Sequence, residues 1–261
     1  DAGCDMKYTK PDGSWADKKL WSVEFADIAG QVEILSEDWV EVDVPLVDIE
    51  NITIVGKLSF SDDMDHEFRV YDIRVWGVLE CGTADVPHTN KVNIVFKGNN
   101  DLSRYVLIDE QQLNSKVMAV LGKVSMHGAK VTPWSRIKDT VQAGGTSVCV
   151  MDATGWKAGD SVVITPTDFD THHMHHLERK EISSVADTAT GGCFVVTFAA
   201  GLQRRHWAGE VPVSSEAGEN VALRAVAILE TRSIVFTSVD TTSSDAQHNL
   251  YGGHIEIFDL P

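Results

Sequence analysis

Three stretches decide how this chain folds: IVGKLSF at Ile54–Phe60, VWGVLEC at Val75–Cys81, and VLGKVSM at Val120–Met126. Each runs two apolar residues, a glycine, any residue, an aliphatic, a small or polar residue and a final apolar one. Gly98 of VFKGNN falls between the last two, so Gly56, Gly77, Gly98 and Gly122 follow at steps of 21, 21 and 24 residues. A period in the low twenties in a strand-rich sequence predicts a solenoid, each repeat being one coil of a parallel β-helix. The glycine gives the backbone a corner that a side chain would obstruct. An antiparallel sandwich would show turn signals about every 8–12 residues instead.

Working outward, the flanking runs are strand-like. WVEVDV alternates Val40, Val42 and Val44 against Glu41 and Asp43, the pattern of a half-buried strand. After Trp134 the rhythm changes. AGGTSVCVMDATGWKAGDSVVITPTDFD reads as strand, turn, strand, and GGCFVVTFAAGL as another strand. The prediction is an all-β chain: an arm over 1–20, a β-helix domain over 21–213 with an antiparallel hairpin insertion near 144–200, and continuing coils of the same unit over 214–261.

With 261 residues and 43% hydrophobic content the chain can bury a full core. A formal charge of −17 repels nucleic acid, anionic lipid and acidic polysaccharide and favours cations. No apolar run approaches the roughly 20 residues of a membrane helix, so no membrane span is expected. The sequence opens DAGCD without an initiator Met, as a mature secreted product does, and carries one sequon at Asn51–Thr53. An extracellular location with disulfides is expected. Of Cys4, Cys81, Cys149 and Cys193, none forms a close CxxC pair, which leaves disulfides or buried thiols. Cys149 and Cys193 sit in strand-like runs that can lie side by side and are the expected bridge.

The stretch TPTDFDTHHMHHLERKE, Thr165–Glu181, concentrates chemistry. His172, His173, His175 and His176 are ligand types for zinc or copper, with Glu178, Asp168 or Asp170 as a third ligand. An exposed polar loop is the plainer reading. Asp168 and Asp170 alternate along an extended segment and suit calcium, or they cap their own backbone. The cluster SDDMDHE around Asp62–Glu67 reads as a turn between coils, with a weak calcium contact as the sharper alternative. No Ser-His-Asp arrangement, phosphate loop or dinucleotide fingerprint is present.

In order, ITIVGKLSF, IRVWGVLECGT, KVNIVFKGN, VLGKVSMHG, TPWSRI, the WKAGDSVVITPTDFD motif, LQRRHWAG, LRAVAILETRSIVF and GGHIEIF resemble the domain named for its eight glycines. That family occurs in fibrocystin-like proteins and in hyaluronan-binding and hyaluronan-cleaving proteins of the cell surface. The resemblance covers nearly all of the chain from Trp21. It implies an extracellular right-handed β-helix and raises hyaluronan binding or cleavage. Carried across, Asp168 and Asp170 match an acidic pair, His206 a histidine before the next coil, Arg224 and Arg232 two coil arginines, and His254 the histidine of a GGH turn.

The departures weigh against an enzyme. Val226 stands where such proteins carry glutamate, and the enzymes continue for more coils beyond the GGHIEIF position. Glycoside cleavage needs two groups roughly 5 to 9.5 Å apart about one bond. Asp168, Asp170, His206 and His254 are the set that would have to supply them. Arg204, Arg205, Arg224 and Arg232 offer a basic stripe for uronic carboxylates. The expected role is a non-enzymatic extracellular structural or binding module, associating with glycan, matrix or mineral and with itself. A hyaluronan-type depolymerase and a metal carrier are the alternatives.

Overall fold

The computed structural model describes residues 17–98, 105–108, 111–167, 176–188, 192–212, 220–239 and 252–258. They form an all-β protein with mostly parallel sheets, in two units: 1–129 with 232–261, and 130–231.

The first unit starts with β1 (Lys19–Leu20), α1 (Trp21–Glu24), β2 (Gln31–Ile34), β3 (Trp39–Val42) and β4 (Leu46–Asp48). It continues with β5 (Asn51–Ile54), β6 (Lys57–Phe60), β7 (His66–Val70), β8 (Asp72–Val75), β9 (Val78–Cys81) and β10 (Val92–Phe96). An antiparallel hairpin, β11 (Tyr105–Ile108) and β12 (Gln111–Asn114), precedes β13 (Val117–Val120) and β14 (Lys123–Met126). The other strands fall into three parallel sheets, ordered β1-β3-β6-β9-β14, β2-β5-β8-β13 and β4-β7-β10. Three times in succession the chain visits these sheets in the same order, each time one place further along.

The ladders are in register, which stacks like residues. Ile52 lies between Val32 and Ile73. Leu58 lies between Val40 and Leu79, and Phe68 between Val47 and Ile94. All of these are buried in one core. Strand alternation puts them inside and sends Glu41, Glu67 and Arg69 outward. Trp21 closes the β1 end of this core. Its ring packs 4.9 Å from Phe25 and edge-on to Phe68 at 5.7 Å.

The corner glycines are required by close approach. A Cβ on Gly77 would lie 2.0 Å from the Gly56 carbonyl oxygen, and one on Gly122 2.1 Å from that of Gly77. Gly98 does not belong to this column. It follows β10 with φ +98°, its Cα facing the Tyr71 ring. The rung that leaves Gly77 therefore runs to Gly122, lengthened by the β11–β12 hairpin.

The acidic turn before β7 is a clip between rungs. Asp62 accepts from the Thr89 and Asn90 amides, both at 2.8 Å, and Asp65 from the Lys91 amide at 2.8 Å. Buried His66 bridges the Val44 and Ser61 carbonyls, each at 2.7 Å. Cys81 is a free thiol, pushed up to about 12 by burial and by the nearby Asp62 and Glu80 charges.

The second unit is antiparallel: β15 (Trp134–Arg136), β16 (Ser147–Val150), β17 (Ser161–Ile164), β18 (Glu178–Thr188), β19 (Cys193–Phe198), β20 (Ala208–Pro212), β21 (Asn220–Arg224) and β22 (Val226–Leu229). Six of these form the sheet β15-β22-β17-β18-β19-β16, while β20 and β21 form a separate hairpin. The sheet closes on itself, because Ile137 bridges to Val150 and the Lys138 amide donates to Cys149 O at 2.7 Å. Its interior holds Ile137, Val150, Trp156, Val162, Ile182, Phe198 and Ala227. A disulfide joins Cys149 to Cys193, Cα atoms 5.7 Å apart, as their strand runs suggest. The antiparallel region is thus wider than 144–200 and includes β15 and β22. The parallel sheets are rejoined at β23 (Ile234–Ser238), beside β10, and β24 (His254–Ile257), beside β13.

Candidate functional site: the base of the histidine-rich connection

The connection between β17 and β18 carries the histidine stretch, and β17 and β18 pair antiparallel, with Ile164 opposite Glu178. Both ends of the connection are pinned. On the leading side, Thr165 Oγ1 accepts from the Val226 amide and Thr167 Oγ1 from the Trp207 amide, each at 2.9 Å. On the returning side stands Glu178. Its Oε2 accepts from the Gln203 amide at 2.7 Å and its Oε1 from the Arg204 amide at 2.8 Å.

His206 completes the lock. Its ring has no exposed surface. Nδ1 lies 2.9 Å from Thr165 O and Nε2 2.9 Å from Glu178 Oε1. Both ring nitrogens thus stand within hydrogen-bond reach of an oxygen acceptor. Burial alone would raise the Glu178 pKa. The Gln203 amide, His206 and the Arg204 amide outweigh it and hold the carboxyl below its ordinary range. Lys180 Nζ adds a charge 3.4 Å from Oε2. Glu178, read from the sequence as a third metal ligand, therefore has both oxygens committed to the lock.

Asp168, Asp170, His172, His173 and His175 lie outside the described residues, as does Cys4. His176 is half-buried two residues before Glu178. Among the described residues, no group of three or more His, Cys, Asp or Glu side chains is arranged to hold a metal ion. His206 belongs to the second unit and His254 to the first. On β24, His254 Nε2 lies 3.4 Å from Glu256. The four arginines do not share one environment. Arg204 and Arg205 are exposed at a turn, Arg224 donates to the Lys138 carbonyl, and exposed Arg232 opens the return to the first unit. The sequence contained no signal for the Glu178–His206 pairing, since the two lie 28 residues apart on separate strand ends.

Parallel sheets with glycine corners, and an inserted closed sheet with a hydrogen-bonded lock where its β17–β18 connection begins and ends, define an all-β scaffold. Residues 20–138 match the model of the G8 domain. The chain is 27% identical over 159 residues to fibrocystin-L of Mus musculus, covering 56% of this chain and 4% of that protein. It is 26% identical over 257 residues to a G8 domain-containing protein of Dictyostelium discoideum, covering 92% and 16% respectively. Fibrocystin of Canis lupus familiaris matches at 25% over 186 residues, 69% of this chain and 4% of that protein. The chain therefore spans less than a fifth of the length of these relatives. Among the described residues, no helix is long and apolar enough to cross a membrane.

Proposed function

We propose that this chain is a non-enzymatic extracellular binding module: a right-handed parallel β-helix carrying an antiparallel insertion whose 168–175 connection binds cations and matrix glycan. The observation that supports it most is the Glu178–His206 lock. It spends the best-placed acid and imidazole on holding the base of the connection, which is what display of a loop requires. Fixed order of visits to three sheets, in register, supports the β-helix. The disulfide and the kinship with fibrocystins support the extracellular location.

In this reading His172, His173, His175 and His176 take zinc or copper, and Asp168 and Asp170 take calcium. Arg204 and Arg205 are exposed cations just before His206 in sequence and serve an acidic glycan. Calorimetric titration with zinc and copper tests the metal arm. Affinity should fall roughly tenfold or more when the four histidines become alanine, and unchanged affinity would remove that arm. Incubation with hyaluronan and calcium tests the non-enzymatic arm. The polymer should keep its size, and shortening abolished by Asp170→Asn would establish a depolymerase instead.

A further inference from the structure

The sequon Asn51-Ile52-Thr53 is a motif that the proposed function does not use. Such a tripeptide marks a glycan acceptor when it lies on a surface loop. Here it makes up most of β5, a strand with a neighbour on each side. Asn51 stands between Gln31 of β2 and Asp72 of β8, and Thr53 between Glu33 and Arg74. Ile52, between the two, has no exposed surface. The Asn51 amide is committed. Its Nδ2 donates to Asp72 Oδ2 at 2.7 Å and to Glu50 O at 2.8 Å, which uses both of its hydrogens. Asp72 is 7% exposed, and Arg74 Nη2 lies 3.1 Å from its other oxygen, Oδ1. Glu50 O also accepts from the Tyr71 amide at 2.8 Å, the bond that leads the chain into β8.

We propose that Asn51 is the clamp of a buried carboxylate and not a glycan acceptor, so that the folded chain carries no sugar on its sequon. N-glycosylation joins sugar C1 to Nδ2 in place of one amide hydrogen. Losing one hydrogen removes the bond to Asp72, and losing the other removes the bond to Glu50 O. Either loss is costly where the acceptor is shielded from water. The sugar would also have to leave the sheet between Gln31 and Asp72, each only about 4.8 Å to the side. Transfer before folding does not escape this, because the sugar must still be accommodated when β5 enters the ladder. With a neutral amide on one oxygen and a guanidinium on the other, Asp72 can be buried in the column of strands. The proposal does not depend on what the histidine connection binds.

Secretion from a eukaryotic host that adds N-glycans, followed by intact-mass measurement with and without peptide N-glycosidase, tests it. The expected mass is that of the bare polypeptide, unchanged by the enzyme. The double variant Thr83→Asn, Asp85→Thr puts the same pattern in an exposed turn and should be glycosylated by that host. Thr53→Val removes the sequon but keeps the amide, and should leave mass and melting temperature unchanged. Asn51→Ala removes both, and should lower the melting temperature by roughly 4 °C or more. A folded, secreted chain that loses mass on glycosidase treatment would overturn the proposal, as would an Asn51→Ala variant that melts with the parent.

Discussion

A general acid or base must have a polar atom that reaches substrate. His206 sends Nδ1 to Thr165 O and Nε2 to Glu178, inside a site with no exposed ring surface. Its chemistry is therefore spent within the fold, and its energy is readable as stability. Removing one member of a buried pair leaves the other uncompensated, which costs about 3–5 kcal/mol. Glu178→Gln should destabilise the second unit by roughly 3 kcal/mol at neutral pH. The pH dependence has a fixed sign. The folded carboxyl is held below its ordinary value of 4.5, so the unfolded chain takes up the proton first as pH falls. The pair's contribution is full above about pH 4.5 and is lost as pH drops through the folded value. Melting curves of both proteins between neutral pH and pH 3 should converge on the acid side; a gap independent of pH would contradict the assignment. Asp62, Asp152 and Glu230, also lowered, are common to both proteins and cancel in the comparison.

At the scale of elements, the glycine column makes the strongest demand on sequence. A methyl at Gly77 would meet the carbonyl oxygens of Gly56 at 2.0 Å and Val55 at 2.3 Å, and backbone cannot step aside as a side chain can. Gly77→Ala should cost about 3 kcal/mol, the upper end for overpacking. Gly30→Ala, with nothing within 4 Å of the added Cβ, should cost almost nothing. Chemical denaturation of the two variants checks both, and equal stabilities would refute the close-packed corner. This column was legible in the sequence because close approach leaves only one residue type permissible. Gly98 was misread for a related reason: counting residues cannot reveal that one rung contains the β11–β12 hairpin. The antiparallel insertion was legible from its turns and strand runs, and so was the Cys149–Cys193 bridge. Closure of that sheet was not, because it rests on Ile137 meeting Val150 after four other strands have intervened in space. Nor was the lock, whose partners are charged residues that read equally well as surface ligands. Asp62 and Asp65 likewise looked like a solvated or cation-binding turn, although their oxygens clip the amides of the next rung.

For the whole molecule, the decisive fact is that among the described residues each unit has a large core of its own, with different reinforcement. One holds Ile52, Leu58, Phe68 and Ile94, and the other holds Ile137, Trp156, Val162 and Phe198. Both ends of the disulfide lie in the second unit, joining residues 44 apart. Closing a loop of that length stabilises by about 4 kcal/mol in the chain-entropy account, and measured values commonly run about 2–4. For a unit of ~100 residues, each kcal/mol moves the melting temperature by about 4–8 °C. The first unit gains nothing from the bridge, and its described thiol, Cys81, is buried and held protonated. Reduction should therefore lower one calorimetric transition by roughly 10 °C or more and leave a second in place. The double variant Cys149→Ser, Cys193→Ser should reproduce that profile without reductant. Two cores that unfold as a single cooperative block would show one transition moving as a whole, and the division into separately stabilised units would then fail.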